Sequence, residues 1–492
     1  MAGFTPKQVS AWKADPVKFA REVLWHRGPD GVVPWVPHPG QEEVLRALAA
    51  RENGVPRYKV VCWSAPKRSG KSALAGAALA WVLLREGARS FVLSVSREQA
   101  ASVVFDELKG FIRHSPLLAQ LIPEDSRQSA EVRCPVLDSI VQVLPAKETT
   151  IQGRSPGGGL FVLDESHSQD RGLFDMALSQ CDRKDAQAFI VSMMGSPAGN
   201  TYRLYEVDQS GADPLLWFRY STGCENPHVS SQWLASRKAS LPPAIYRVLH
   251  ENAPGEGADA LFDAEALLNC RVDVAVPSNE NDFPDWCREV LGVERDRVML
   301  GYGLDRAQPG AAKGDSTVAC LLAAWDEGSV RRYCVLRSDV IQGGAEDRIM
   351  AHAEGLVRMY GPLRAAVVEA YQAADLAGRL PAVLGREVTL KHATTGYQEA
   401  GFTHLWQAVN EGRIMLPKEL EALFTQLVAF TIDTSGKTLR FTGGAGRGVD
   451  DHVYALLAAS SGLEAVPSQF LAGVSAGFVT RRADGDAPVF GY

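Results

Sequence analysis

The strongest constraint on the fold is the stretch over residues 58–72, YKVVCWSAPKRSGKS. Its apolar residues 60–63 predict a buried strand, and the Ala- and Leu-rich residues 73–85 predict a helix. A turn that ends at Gly70 joins the two. A strand, a glycine turn ending in Gly-Lys-Ser and a helix are typical of a phosphate-binding loop, whose backbone N–H groups surround phosphate oxygens.

Each side chain that such a loop needs is present. Lys71 would reach the β- and γ-phosphates of a nucleotide, and the hydroxyl of Ser72 would ligate Mg²⁺. The usual pattern has Gly where this chain has Ala65, so the loop reads A-x-x-x-x-G-K-S, with Ser69 before its glycine. The alternative is a surface Gly-Lys-Ser turn without a ligand.

The length and composition limit the kind of protein to which this loop belongs. A chain of 492 residues exceeds one hydrophobic core and predicts two or three domains. The net charge of -7 argues against binding of nucleic acid through the overall charge of the protein. A local basic groove is compatible with this net charge. Eight cysteines without a CxxC pair predict neither a zinc site nor a disulfide framework, and favour a reducing cytosol. We expect no signal peptide and no membrane-spanning segment.

The pattern along the chain predicts five segments. A helical lead-in covers residues 1–34, and a nucleotide-binding α/β domain covers residues 35–200. Residues 201–295 have a looser, loop-rich pattern and are predicted to form a lid and linker. A second α/β domain is predicted over residues 296–465, and a flexible Gly- and Ala-rich tail over residues 466–492.

Three side chains near the loop are candidates for nucleotide contacts. Gln41 precedes the loop, where a Gln in many nucleic-acid-dependent motors hydrogen-bonds the adenine edge; the alternative is a solvent-facing residue in the first turn of a helix. Lys67 and Arg68 lie within the loop. Either is a candidate for the basic finger, the side chain that stabilises the negative charge developing on a transferred phosphoryl group. The fork of donors on Arg68 favours it slightly, and a solvent-facing charge pair is the alternative.

A second strand delivers two carboxylates. The run LFVLDE over residues 160–165 predicts a buried parallel strand that ends in Asp164 and Glu165. Asp164 would hold Mg²⁺ through its water shell, and Glu165 would orient or activate the attacking water. A strand with a merely polar end is the alternative. A further strand over residues 188–194 leads to Ser196, our candidate for sensing the γ-phosphate, with a plain loop start as its alternative.

The C-terminal half contains a second set of acidic residues. Asp305 and Glu369 end two predicted strands, and Asp450 and Asp451 begin a late apolar helix. Two divalent ions about 4 Å apart stabilise the attacking and leaving oxygens of a phosphodiester displacement, and hard cations require converging carboxylates. Asp305 would bridge the ions, with Glu369 and one of the paired aspartates completing the shells. Solvated strand ends are the alternative for each residue taken singly.

A phosphate-loop motor followed by a ribonuclease-H-like nuclease resembles the large terminase subunit of tailed bacteriophages. The resemblance covers nearly the whole chain and rests on the order of its motifs: HPGQEEVL, SAPKRSGKS, LFVLDES, MGSP, GLDRA, VVEA and VDDHVYALLAA. It implies an α/β fold with an ASCE-type P-loop ATPase domain and a ribonuclease-H-like nuclease domain. Many relatives have a His before the paired Asp, where this chain has Gly448 and Val449, so the choice between Asp450 and Asp451 stays open.

The resemblance also implies the activity and the partners. It implies a motor that uses ATP and Mg²⁺ to drive double-stranded DNA through the portal of a procapsid, and a nuclease, active with Mg²⁺ or Mn²⁺, that cuts the concatemeric genome. The implied partners are DNA, the portal protein, a small terminase subunit and further copies in a ring, in the host cytoplasm. The alternatives are a helicase-like or defence ATPase with a fused nuclease, and a DNA-stimulated ATPase with a silent docking domain.

Overall fold

The structure is a computed structural model that describes residues 5–28, 31–94, 103–255, 258–307, 316–342, 345–370, 374–434, 439–443 and 450–467. It divides the chain into two compact units. The N-terminal unit is Met1–Gly257 with Thr434–Thr438, and the C-terminal unit is Ala258–Asp433 with Leu439–Tyr492. The predicted lid and linker over 201–295 is therefore shared between the two units. No helix in the described ranges has the length and apolar character needed to cross a membrane.

The N-terminal unit contains strands and helices in alternation. Its strands are β1 Trp25–Gly28, β2 Gly31–Pro34, β3 Arg51–Glu52, β4 Val55–Pro56, β5 Val60–Ser64, β6 Arg89–Leu93, β7 Glu131–Cys134, β8 Ser139–Val143, β9 Gly158–Asp164, β10 Gln187–Ser192 and β11 Leu216–Tyr220. Its helices are α1 Pro6–Ala14, α2 Pro16–Val23, α3 Pro39–Ala49, α4 Lys71–Val82, α5 Val104–His114, α6 Pro116–Leu121, α7 Glu148–Ile151, α8 Arg171–Ser179, α9 Asn200–Ser210, α10 Ser231–Ser240 and α11 Pro243–His250.

Seven of these strands form the central sheet in the order β11-β5-β10-β9-β6-β8-β7. All neighbours are parallel except β7, which pairs antiparallel with β8. Strand β10 lies between β5, which leads into the phosphate loop, and β9, which ends in the acidic pair. Because carboxyl ends of parallel strands share one edge of the sheet, the loop and the acidic pair lie at that edge.

Two expectations for this unit change in the structure. The lead-in is helical only as far as Val23, because residues 25–28 and 31–34 pair as the antiparallel strands β1 and β2. Strand β11, within the predicted lid region, belongs to the central sheet beside β5. Its sequence, LWFRY, is short and contains one charged residue, so its apolar pattern is weaker than that of the other core strands.

The C-terminal unit has a mixed sheet covered by helices. Its strands are β12 Ala258–Ala260, β13 Arg271–Val272, β14 Met299–Asp305, β15 Thr317–Glu327, β16 Val330–Ile341, β17 Ala365–Glu369, β18 Thr389–Lys391, β19 Ile414–Pro417, β20 Thr431–Asp433 and β21 Arg440–Thr442. Its helices are α12 Ala264–Cys270, α13 Phe283–Trp286, α14 Glu346–Tyr360, α15 Ala374–Leu384, α16 Thr395–Asn410, α17 Glu421–Ala429 and α18 Asp451–Glu464.

The main sheet of this unit has the order β13-β19-β16-β15-β14-β17-β18. Strands β14, β15 and β16 form an antiparallel meander, and β17 and β18 continue from β14 in parallel. Register pairs Leu304 of β14 with Val368 of β17, so the next residues, Asp305 and Glu369, lie side by side. The last helix, α18, packs across β14.

Glycines in β14 allow this close packing. A Cβ atom at Gly303 would lie 2.1 Å from the carbonyl oxygen of Ala455 and 2.3 Å from the amide nitrogen of Ala459. Both are backbone atoms of α18, so they cannot move away as a flexible side chain would. The glycine is therefore required by the approach of the helix and not by its own backbone angle.

We expect Gly303→Ala to destabilise the C-terminal unit by about 1–3 kcal/mol, because the added methyl group separates α18 from β14. Urea unfolding of the variant beside the wild type measures the difference. Gly378→Ala is the matched control, since position 378 lies in α15 and has open space around it. This change should be neutral or stabilising by about 0.5–1 kcal/mol, as Ala replaces Gly within a helix. Equal stability of Gly303→Ala and the wild type would contradict the packing described.

Candidate active sites

The phosphate loop connects β5 to α4 with two residues in the left-handed region. Gly70 has a φ of 79° and is the residue before the first turn of α4. Arg68 has a φ of 71°, which is uncommon for a residue with a side chain. The two left-handed residues make a tight turn directly before the N-terminus of α4. The local geometry is that of an anion-binding loop.

Lys71 is held over this loop. Its side chain is buried, and its Nζ donates to the carbonyl oxygens of Ala65 at 2.7 Å and Pro66 at 2.8 Å. Burial lowers the pKa of Lys71, while the carboxylates of Glu165 and Asp164 act in the opposite direction. An ammonium group has three donors, so one is left for a phosphate oxygen.

Gln41 is buried against the phosphate loop, which rules out the solvent-facing alternative. Its Nε2 donates to the carbonyl oxygen of Gly70 at 3.1 Å, and its Oε1 accepts from the backbone N–H of His38 at 3.1 Å. The ring of His38 lies 3.2 Å from the carbonyl oxygen of Ser69 through Nε2. Helix α3 thus holds the loop from one side. His38 was not predicted, although it stands three residues before Gln41.

The two candidate fingers have exposed side chains. The backbone N–H of Lys67 donates to the carbonyl oxygen of Leu249 at 2.9 Å. The carbonyl oxygen of Arg68 accepts from Asn226 Nδ2 at 2.9 Å. Both backbones are thus tied to the segment that follows β11, while both charged side chains are exposed.

The acidic pair occupies the end of β9 as predicted. Asp164 is buried, and burial together with the neighbouring carboxylate of Glu165 raises its pKa to about 7, against the opposing effect of Lys71. Glu165 has a φ of 55°, and its side chain is 37% exposed. The left-handed backbone directs the two successive side chains differently, with one buried and one open to solvent.

These residues fit a Mg²⁺–nucleotide. Hard oxygen donors suit Mg²⁺, and Asp164 at the strand end and Ser72 in the first turn of α4 supply them. A cation beside Asp164 would oppose the effect of burial and of Glu165 on its pKa, as Lys71 does. Ser72 is half-buried beside Lys71.

The segment after β10 carries the candidate coupling residue. Ser196 is buried, and its Oγ accepts from the backbone N–H of Ala198 at 3.1 Å. Its carbonyl oxygen accepts from Gly199 at 2.8 Å, so the segment forms a tight turn before α9. The turn leaves the same edge of the sheet as the phosphate loop, since Ala65 donates to the carbonyl oxygen of Ser192 at 2.9 Å.

Asn252 was missed by the sequence reasoning. It is fully buried, and its Oδ1 accepts from the N–H of Met194 at 2.7 Å. Its Nδ2 donates to Ser64 Oγ at 2.9 Å and to the carbonyl oxygen of Ser221 at 3.1 Å. One amide therefore joins the ends of β10, β5 and β11. No local pattern marks it, because it follows α11 in a loop-rich stretch.

In the C-terminal unit, the structure brings the predicted acidic residues together. Asp305 and Glu369 are neighbours at the ends of the paired strands β14 and β17, and both line one cavity. Burial raises the pKa of Asp305 well above its ordinary value, and Glu369 raises it further. Asp451 and then Asp450 act in the same direction, so all four carboxyl groups face one region.

The paired aspartates differ in their surroundings. Asp450 is the residue before α18, and its Oδ2 accepts from the N–H of Gly443 at 3.2 Å. Asp451 is buried in the first turn, and its Oδ2 accepts from the N–H of Ser316 at 3.0 Å. Asp451 acts more strongly than Asp450 on the pKa of Asp305.

The donor set fits divalent cations. Four carboxyl groups supply the hard oxygen ligands that Mg²⁺ and Mn²⁺ take. Within the described ranges, no three His, Cys, Asp or Glu side chains already stand in an arrangement that holds one ion. Burial and the charge of Glu369 raise the pKa of Asp305, and a cation among these carboxyl groups would oppose that rise.

Further side chains surround this cluster. Lys391, Tyr397 and Tyr454 line one cavity with Asp305 and Glu369. Tyr454 donates to the carbonyl oxygen of Phe441 at 2.9 Å. Lys391 is the register partner of Glu369 in the parallel pair β17–β18. None of the three was predicted. Lys391, in an exposed edge strand, is the one of the three whose charge could have marked it in the sequence.

His452 is buried and not on the surface. Its Nδ1 lies 2.7 Å from Ser338 Oγ, and its N–H donates to Gln426 Oε1 at 2.9 Å. These contacts connect the start of α18 to β16 and α17. His452 thus fixes the helix end that carries the paired aspartates.

The chain as a whole is similar to solved phage proteins in fold, but not closely in sequence. No family model matches it, and no curated protein matches its sequence. The solved large terminase of a thermophilic bacteriophage is similar with a TM-score of 0.57 at 11% identity, covering 86% of this chain and 98% of that chain. A structure of that terminase in complex with ATP-gamma-S gives a TM-score of 0.55 at 11% identity and covers 87% of this chain and 99% of that chain. At this identity the likeness establishes a shared fold, and the predicted α/β fold class with its two successive domains is confirmed.

Proposed function

We propose that the chain is the large subunit of a bacteriophage DNA-packaging terminase. Its N-terminal unit hydrolyses ATP with Mg²⁺ to move double-stranded DNA through the portal into a procapsid. Its C-terminal unit cuts the concatemeric genome with two divalent ions. The observation that carries the proposal is the presence, in one fold shared with a phage large terminase, of a phosphate loop facing an Asp-Glu pair and of a separate four-carboxyl cluster.

The proposed ATPase chemistry assigns roles by position. The loop N–H groups and Lys71 bind the phosphates, Ser72 and Asp164 hold Mg²⁺, and Gln41 reads the adenine edge. Glu165 orients the attacking water, since it is the partly exposed carboxylate beside a buried metal-binding one. Lys67 or Arg68 supplies positive charge to the phosphoryl group in the transition state. Ser196 transmits hydrolysis to the rest of the motor.

The proposed nuclease chemistry uses the second cluster. Asp305, proposed as the shared ligand, would hold the divalent ions together with Glu369 and the paired aspartates. The ions would supply positive charge to the attacking and leaving oxygens of the phosphodiester. Asp451 is our choice as the direct ligand, because it is buried and acts more strongly on Asp305 than Asp450 does.

The proposed partners follow from the same function. They are double-stranded DNA, the portal protein, a small terminase subunit and other copies of this chain in a ring on the procapsid, in the host cytoplasm. Purified protein mixed with procapsids, linear DNA and Mg²⁺–ATP tests this. We expect DNA that becomes protected from added nuclease only when ATP is present. DNA-stimulated ATP hydrolysis without protection would instead favour a helicase-like or defence ATPase.

We expect Glu165→Gln to bind ATP with nearly unchanged affinity and to lower kcat by at least about 10²-fold, because the amide cannot activate water. Equilibrium binding of a fluorescent ATP analogue and phosphate release measure the two effects. Glu43→Gln is the matched control, since Glu43 lies on exposed α3 surface in an ion pair with Arg219. Normal turnover by Glu165→Gln would move the water-orienting role to another group.

A further inference from the structure

The carboxylate of Glu165 contacts a neighbouring side chain, His167. Glu165 Oε2 lies 3.3 Å from His167 Nδ1. The same Nδ1 lies 3.0 Å from Ser192 Oγ, at the end of β10. The backbone N–H of His167 also donates to Ser192 Oγ at 3.0 Å. The imidazole therefore stands between the end of β9 and the end of β10.

The ring of His167 has little freedom to move. It is buried, and a Cβ atom at Gly195 would lie 2.6 Å from His167 Cβ, so the turn after β10 packs directly on it. Ser192 Oγ also accepts from Thr201 Oγ1 at 3.0 Å, and Thr201 contacts Ser166 Oγ at 2.9 Å. A closed network of hydroxyl groups thus fixes the ring from behind.

The chemistry of the contact favours one tautomer. A carboxylate only accepts hydrogen bonds, so the contact with Glu165 is favourable when Nδ1 of His167 carries the proton. Burial lowers the pKa of His167, which favours the neutral ring. A neutral ring with its proton on Nδ1 contacts Ser192 Oγ at 3.0 Å and presents the same proton to Glu165 Oε2 at 3.3 Å.

We propose that His167 is a positioning residue for ATP hydrolysis, which holds the water-orienting carboxylate of Glu165 and links it to Ser192 at the end of β10. This inference rests on the proposed ATPase function. Without the link, a side chain that is 37% exposed would populate several rotamers, and the productive one would be occupied for only a fraction of the time. Because β10 continues into the turn that carries Ser196, a shift of that turn also shifts the ring that holds Glu165.

Three substitutions of His167 separate positioning from a general structural role. His167→Asn keeps an amide donor near the place of Nδ1, and His167→Gln puts it near the place of Nε2. His167→Ala removes both. We expect His167→Ala to lower kcat for DNA-stimulated ATP hydrolysis by about 10- to 10²-fold, with KM for ATP changed by less than about twofold. His167→Asn should recover most of the rate, and His167→Gln should not.

A double variant tests whether His167 acts through Glu165. Once Glu165→Gln has removed the carboxylate, adding His167→Ala should change the residual rate by less than about twofold. Ser192→Ala, which removes the hydroxyl group behind the ring, should lower kcat in the same direction. Ser192→Ala also keeps the inference testable if His167→Ala does not fold, and thermal melting of every variant reports folding.

The outcomes are distinct. Unchanged kcat in His167→Ala, equal recovery by Asn and Gln, or additive losses in the double variant would overturn the positioning role while leaving the ATPase intact. If the wild type releases no more phosphate than Lys71→Ala, the ATPase function itself fails, and the inference fails with it.

Discussion

Asp305→Asn should abolish DNA cleavage, with a loss of at least about 10³-fold, because it removes the proposed bridging ligand of both metal ions. Asp305 is central to the cluster, because Glu369, Asp451 and Asp450 each raise its pKa. Supercoiled plasmid incubated with Mn²⁺ and followed on a gel gives the rates of nicking and linearisation. ATP hydrolysis by the same preparation should be unchanged, since its residues belong to the other unit.

Stability separates lost chemistry from lost folding. The pKa of Asp305 is raised in the folded protein, so this carboxyl group lowers the stability of the fold increasingly as the pH rises above its ordinary pKa of about 4. Asp305→Asn should therefore melt no lower than the wild type at pH 8 without metal. Added Mg²⁺ or Mn²⁺ should raise the melting temperature of the wild type and have little effect on the variant.

A matched control uses an acidic residue of the same unit outside the cluster. Asp273 is 85% exposed and pairs with Lys418 Nζ at 2.8 Å. Asp273→Asn should cut plasmid at the rate of the wild type. Cleavage by Asp305→Asn at the rate of this control would show that the acidic cluster is not the nuclease centre.

Lys71→Ala should lower ATP hydrolysis by about 10²–10³-fold, because it removes the buried ammonium group that faces the phosphates and the two carboxylates of β9. Removing it should also raise the pKa of Asp164 further, since Lys71 is the group that opposes that rise. Mg²⁺–nucleotide binding should weaken as well. Phosphate release with and without DNA measures the rate, and titration with a fluorescent ATP analogue measures the binding.

The same variant should cut plasmid normally. Lys18→Ala is the matched control for ATP hydrolysis, because Lys18 is 46% exposed on α2, where it pairs with Glu22. It should retain the rate of the wild type. Full ATPase activity in Lys71→Ala would contradict the proposed binding of phosphates by the loop. It would therefore also contradict the proposed motor.

Much of the fold was accessible from the sequence because its strands are short apolar runs that end in functional residues. Strands β5, β9, β14 and β17 were predicted within a few residues, since each is buried and is followed by a turn or a carboxylate. Strands β1 and β2 were not predicted, because an antiparallel pair with exposed residues has no apolar pattern to distinguish it from the end of a helix.

The acidic residues and the phosphate loop of the candidate sites were predictable from the sequence. The side chains around them were not. Lys71, Asp164 and Asp305 each belong to a local motif whose spacing can be read along the chain. His167, Asn252 and Lys391 act through contacts between distant strands, so their neighbours appear only when the sheet is assembled. The strand order, which places β10 between the loop strand and the acidic strand, is likewise a property of the whole sheet.

The glycines of β14 contribute to the packing of the C-terminal unit and not to its proposed chemistry. Because Gly301 and Gly303 leave no room for a Cβ atom beside α18, the close approach of the helix to the strand depends on the shape of the backbone. The distance from Asp305 to the paired aspartates therefore depends on two residues without side chains, together with the contacts of His452. In the proposed nuclease, exchange of the acids for neutral residues would leave this packing in place, and the product would be a unit that holds DNA without cutting it.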